Sequence, residues 1–104
     1  MIKGIGVDIL NIERIDFKIS RRVLSSEELI IFESISNEKL KIEYLAERFA
    51  VKEALFKADN SYFNYDKVSV LNDEKGKPYL KDINGFVSIS HDSGMVCAFV
   101  VLNN

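Results

Sequence analysis

A chain of 104 residues has the size of a single domain, and 47% apolar with 29% charged residues, one proline and five glycines excludes a disordered, collagen-like or low-complexity chain. A net charge of −2 excludes a global nucleic-acid footprint, so no nucleic-acid partner is expected and any basic function must be local. Apolar runs such as Val96 to Leu102 are far too short for a bilayer, and no basic region precedes an apolar signal core, so the expected location is cytoplasmic, with no membrane contact.

Residues 1–104 read as one unit, with no internal repeat. The opening IKGIGVDI sets Ile5, Val7 and Ile9 on alternate positions with Gly4 and Gly6 between them, which predicts a strand with one nearly bare face and Asp8 near its end. Asn11 is placed to cap a first helix, whose apolar positions are Ile12, Ile15 and Ile19. The run SSEELIIF offers a serine cap at Ser25 and acidic residues in a first turn, predicting a short second helix. From about Asn37 to Asp59 there is neither Gly nor Pro, and EYLAERFAVKEALFKA is rich in good helix formers, so a long third helix with a broad apolar face follows. After Asn60, KVSVL, FVSIS and MVCAFVVL alternate with turn signals, which predicts three or four antiparallel strands with turns at Gly76 and Gly94. The lone cysteine, Cys97, lies in an apolar run and is expected to pack in the core. So small a chain completes a core and a cleft most readily by oligomerising, so an assembly is expected.

The charged groups inside the third helix are the most informative. Glu53 and Lys57, four residues apart, share a face, and an ordinary surface ion pair is the plain reading of that spacing. Asp8 changes the balance, because a carboxylate on an apolar strand needs a cation or a partner. Asp8 and Glu53 together would offer the two carboxylates that Mg²⁺ commonly takes from a protein, the remaining positions going to water and phosphate oxygens. His91, the single histidine, sits at a strand end, where a structural role is the ordinary expectation. Lys75-Gly76-Lys77-Pro78 reads as a solubilised hairpin turn. Arg14, Lys18, Arg21 and Arg22 would form one basic stripe on a continuous first helix, either a solvated face or a surface that steers an acidic partner.

GIGVDI followed by Glu13-Arg14-Ile15, then ERFAVKEALFKA, NDEKGKPY and VSISHD before a final apolar strand, resembles the holo-acyl carrier protein synthase family in order and spacing, from about residue 2 to residue 102. The resemblance implies an α+β fold, a small antiparallel sheet wrapped around a long helix, assembled as a homotrimer with active sites between subunits. It implies a phosphopantetheinyl transferase that moves 4′-phosphopantetheine from coenzyme A to a serine of apo-acyl carrier protein, releasing adenosine 3′,5′-bisphosphate, with Mg²⁺ as cofactor, in fatty acid and lipid biosynthesis. Carried over residue by residue, Asp8 and Glu53 are the Mg²⁺ ligands and Lys57 is the lysine at the transferring phosphate. Arg48, Lys57, Gly76, Pro78, Ser90 and His91 line the coenzyme A site. Arg14, Lys18, Arg21 and Arg22 face the acidic carrier protein. Two features depart from the family: the connection after Ala58 is shortened and lacks its usual glycines, and Met95 stands where an aromatic is frequent. Roles in residues 60–66 are therefore not carried over. The competing reading is a non-catalytic binding module for an acidic carrier; a small metal-dependent phosphohydrolase ranks below it.

Overall fold

Alternation in the opening segment is realised as a ten-residue strand, β1 (Ile2–Asn11), in a computed structural model that describes all of residues 1–104. Its glycine face lies against the long helix α3 (Glu38–Ala58) so closely that a Cβ on Gly6 would overlap the Ala54 carbonyl oxygen, and one on Gly4 would overlap that of Ala58. Asp8 shares this helix-facing side, but the strand runs on to Asn11, so Asp8 lies within β1 rather than near its end. The other face, with Ile5, Val7 and Ile9, is exposed.

The expected continuous first helix is not formed. Residues Ile12–Arg14 and Phe17–Ile19 are separate 3₁₀ turns, followed by a single α-turn, α1 (Ser20–Val23). Two short polar side chains cause the break: Asn11 Oδ1 accepts from the Glu13 amide at 3.0 Å and Asp16 Oδ1 from the Lys18 amide at 2.9 Å. Each offers the backbone a local turn in place of the helical ladder, and Ile15 between them is extended. The second helix, α2 (Ser26–Ser34), starts as predicted, with a reciprocal capping box between Ser25 and Glu28. Helix α3 is capped by Asn37, whose side chain accepts from the Leu40 amide.

Four antiparallel strands follow: β2 (Val70–Asn72), β3 (Pro78–Leu80), β4 (Gly85–Asp92) and β5 (Met95–Asn103). They form a β2–β3 hairpin and a three-stranded sheet in the order β1-β5-β4. The turns need left-handed backbone, supplied by Gly76 (φ 85°) in the β2–β3 loop and by Ser93 (φ 52°) and Gly94 (φ 79°) between β4 and β5. The sheet wraps α3, burying Val96, Ala98, Val100 and Leu102 of β5 against Ala46, Ala50, Val51, Ala54 and Leu55. Cys97 alternates with these and is exposed on the outer face, not packed in the core. Apolar residues occupy both sides of MVCAFVVL, so periodicity could not tell which side meets the helix.

A buried ion pair ties the smaller elements to α3. Lys52 Nζ donates to Glu28, to the Val23 carbonyl at 2.6 Å and to the Tyr65 carbonyl at 3.0 Å. Glu28 also accepts from the Ser25 amide and from the Val70 amide, both at 2.8 Å. Burial pulls the Lys52 ammonium below its usual range while the Glu28 charge opposes that shift. Every polar atom of this pair has a partner, as two fully buried charges require.

Candidate active site

Two clusters of the expected site residues form on α3, and they face different ways. At the C-terminal end Lys57 does not pair with Glu53. Its Nζ donates to Asp8 Oδ1 at 3.1 Å and to the Val7 carbonyl at 3.0 Å, bridging α3 to β1. The ammonium is half-exposed and the Asp8 carboxyl mostly covered, so the pair opens to solvent on the lysine side. Glu53 joins them through Tyr65, whose phenol is pushed up to about 12, first by burial, then by the Glu53 carboxylate beside it, then by Asp8. Both carboxylates are therefore near enough for their charge to act on one phenol. Tyr65 is held in place by the Lys52 bond to its carbonyl and by an edge-on contact with Phe49, ring centres 6.2 Å apart. Sequence reasoning missed Tyr65, since its packing partners lie in α3 and nothing in SYFNYDK marks it.

No group of three or more His, Cys, Asp or Glu side chains converges to hold a metal. Two hard oxygen donors beside an ammonium fit a cation that keeps water and phosphate oxygens as its other ligands, which is the habit of Mg²⁺.

The second cluster surrounds Arg48, which is 3% exposed and wholly engaged inside the chain. Its Nε donates to the Val70 carbonyl at 3.3 Å, one terminal nitrogen to Glu47 at 3.3 Å and the other to Asn72 Oδ1, and its plane lies 4.0 Å from the centre of the Tyr44 ring. Asn72 in turn donates to the Gly76 carbonyl at 2.8 Å, fixing the turn that carries Gly76 and Pro78. On the opposite side, Glu47 Oε2 lies 3.2 Å from His91 Nε2. Burial pushes the Glu47 carboxyl up, and Arg48 and His91 oppose that shift. Arg48, Gly76, Pro78 and His91 are thus joined through Glu47 and Asn72, which open the ERFAVKEALFKA and NDEKGKPY segments without being singled out there as site residues.

Ser90 is not part of that cluster. Adjacent strand residues point to opposite faces, so Ser90, paired with Cys97, sits on the outer face of the sheet while His91 turns towards α3. Arg14, Lys18, Arg21 and Arg22 are all exposed, and none forms an ion pair. They occupy three successive short turns, so the expected single helical stripe is replaced by a stepped basic surface.

A sheet wound around one long helix defines a small α+β protein. The chain belongs to the 4′-phosphopantetheinyl transferase superfamily, which residues 4–100 match. It is 44% identical over 82 residues to a holo-[acyl-carrier-protein] synthase of Petrotoga mobilis, covering 79% of this chain and 69% of that protein. It is 39% identical to the Staphylococcus carnosus protein of the same name, covering 98% and 97%. Among solved structures, a holo-(acyl-carrier-protein) synthase from Bacillus anthracis, crystallised in complex with CoA (3′,5′-ADP), superposes with a TM-score of 0.87 at 34% identity, covering 98% of this chain and 96% of that one.

Proposed function

We propose that this chain transfers 4′-phosphopantetheine from coenzyme A to a serine of apo-acyl carrier protein, with Asp8, Glu53 and Lys57 at the reacting phosphate. The observation that carries the assignment of these residues is the meeting of β1 and α3, where Lys57 Nζ donates to Asp8 Oδ1 at 3.1 Å and to the Val7 carbonyl at 3.0 Å, one turn after Glu53. The serine Oγ attacks the phosphorus attached to pantetheine, the bridging P–O bond breaks, and adenosine 3′,5′-bisphosphate leaves. Lys57 Nζ would donate to the bridging oxygen as charge develops on it, while the serine proton passes to a carboxylate oxygen or to water. Asp8 and Glu53 would hold Mg²⁺, which when bound neutralises diphosphate charge ahead of an oxygen nucleophile. The attacking hydroxyl arrives on the carrier, so the chain needs no nucleophile of its own.

The nucleotide end of coenzyme A is assigned to the second cluster: Gly76 and Pro78 on the turn, His91 with its half-exposed ring, and Arg48, which fixes the turn from within. Arg48 and Glu53 are five residues apart, so they differ by roughly 140° around the helix and about 8 Å along it. A single substrate is reached by both clusters when two copies meet. We assign the site to an interface between protomers of a homotrimer, with Ser90 on the sheet face that the neighbour would cover. The stepped basic surface of Arg14, Lys18, Arg21 and Arg22 suits a strongly acidic carrier, and the cytoplasm is the compartment where these substrates are expected to meet. No helix of the chain is long and apolar enough to cross a membrane.

Intact-mass measurement of an apo-carrier after incubation with the chain, coenzyme A and Mg²⁺ tests this reading. The expected outcome is the mass gain of one phosphopantetheine. Carrier that is bound but not modified would replace the reading with a binding module, and nucleotide release without carrier would replace it with a phosphohydrolase. Asp8→Ala and Glu53→Ala are each expected to lower the transfer rate by at least about 100-fold with the fold retained by circular dichroism, as loss of a metal ligand does.

A further inference from the structure

Nothing in the family resemblance assigns Glu47 or Asn72. Yet these two side chains link α3 to the strand and turn that bear the proposed nucleotide contacts, beside the direct bond from Arg48 Nε to the Val70 carbonyl of β2. Glu47 divides its carboxylate between Arg48, at 3.3 Å, and His91, at 3.2 Å. Asn72 divides its amide in the same way, its oxygen accepting from Arg48 and its nitrogen donating to the Gly76 carbonyl at 2.8 Å. The result is one chain of contacts, His91–Glu47–Arg48–Asn72–Gly76, spanning β4, α3 and the β2–β3 turn. Its centre is buried and braced against the Tyr44 ring, while its two ends are exposed.

That arrangement has a consequence for binding. Gly76 lies in a left-handed turn with no side chain, and no atom lies within 4 Å of where its Cβ would be. His91 is a half-exposed ring at the end of a hairpin strand. The turn is closed from within, its Asp73 side chain accepting from the Lys75 and Lys77 amides, and His91 is held in the β4–β5 ladder, but neither set of bonds fixes one end relative to the other; a polyanionic ligand that had to fix that relation would bind more weakly by the ordering. Groups held in advance by a connected, satisfied network avoid the loss.

We propose that Glu47 and Asn72 are positioning residues that register His91 and the Gly76–Pro78 turn to each other through Arg48, so that the nucleotide half of the coenzyme A site is preassembled within one protomer. This rests on the transferase reading above and deepens it, because it concerns only the nucleotide end and leaves the reacting phosphate to the other cluster. Glu47 and Asn72 act through Arg48 and need not touch substrate.

The test uses Glu47→Gln and Asn72→Ala, separately and together, in the full chain. Glu47→Gln keeps shape and loses the second accepting oxygen; Asn72→Ala cuts the link to the turn. Each is expected to raise KM for coenzyme A about tenfold, the scale of one lost charge-assisted hydrogen bond. kcat and KM for the carrier are expected to stay within about twofold, since the reacting cluster lies on another face of α3. Calorimetry with adenosine 3′,5′-bisphosphate alone should show the same weakening, and the double variant should be little worse than the weaker-binding single one, because both act through one guanidinium. The inference is overturned if bisphosphate affinity and coenzyme A KM stay within twofold of the parent chain. It is equally overturned if kcat and melting temperature fall while carrier KM rises, which is a general loss of fold. A parent chain that neither modifies apo-carrier nor binds the bisphosphate would instead defeat the transferase reading itself.

Discussion

Asp59, just past the end of α3, shows how much one side chain settles in so small a protein. Its carboxylate accepts from the Ser61 amide at 3.0 Å and the Ser61 hydroxyl at 2.8 Å, and pairs with Lys3 of β1 at 3.0 Å. Those contacts, the Ser61 amide foremost, hold its pKa at about 2 against an ordinary 3.8. A depressed folded-state value means that the unfolded chain binds the proton first as the pH falls. The clasp therefore contributes fully above about pH 4 and is lost between about pH 4 and pH 2. Urea midpoints measured across that range should fall more steeply for the parent chain than for Asp59→Asn, and parallel curves would show that the clasp is not coupled to folding. The site was legible at this scale only in part. Asp8, Glu53 and Lys57 could be singled out because carboxylates and a lysine stand out on apolar elements, and the structure brings Lys57 onto Asp8. Tyr65, Glu47 and Asn72 could not, since each has its role from a partner on another element: Asn72 is 24 residues from Arg48, and Glu47 reaches His91 across to β4.

Elements were legible where a backbone requirement shows in the residue types. The glycine-bearing face of β1 is one such case, for α3 approaches until the Ala54 and Ala58 carbonyl oxygens occupy the space a Cβ would need. Relief would have to come from backbone, not from a flexible side-chain tip. Gly6→Ala is thus expected to destabilise the fold by about 3 kcal/mol or more, at the upper end for overpacking, and to displace Asp8 two residues on. Denaturant unfolding checks the first effect, and loss of transfer in the residual folded fraction checks the second. An unchanged midpoint would mean that β1 and α3 are further apart than described. The cap at Ser25 was equally readable. The broken first helix was not, because Ile12, Ile15 and Ile19 keep helical spacing while Asn11 and Asp16 each capture a nearby amide, and side-chain competition of that kind leaves no periodic trace.

At the scale of the whole molecule, the sheet turns an apolar face to solvent. Ile5, Val7 and Ile9 of β1, Phe99 of β5 and Phe86 of β4 are all exposed, and the β5 residues pair with β1 and β4 in continuous cross-strand rows. A shallow cleft of about 380 Å³ lined by Ile5, Gly6, Val7, Lys57 and Phe99 joins this face to the lysine proposed for the reacting phosphate. Whatever covers the sheet therefore also roofs the reacting end of the site. In the proposed homotrimer a second copy would supply what that end lacks, because its own nucleotide cluster sits on another side of α3. Shared sites make a quantitative prediction. Glu53→Ala should disable only the reacting half of a protomer, and His91→Glu, which sets a negative charge where phosphate is expected, only the nucleotide half. Each alone should be nearly inactive. If the two are unfolded together and refolded as mixed trimers, a site is whole when an intact reacting half meets an intact nucleotide half on its neighbour, which happens in about a quarter of random pairings in a ring with heterologous contacts. Recovery near that fraction is expected, with light scattering at three times the 11.9 kDa chain mass. No recovery from correctly assembled mixtures would place both halves in a single protomer, and scattering at the mass of one chain with full transfer activity would remove the assembly altogether.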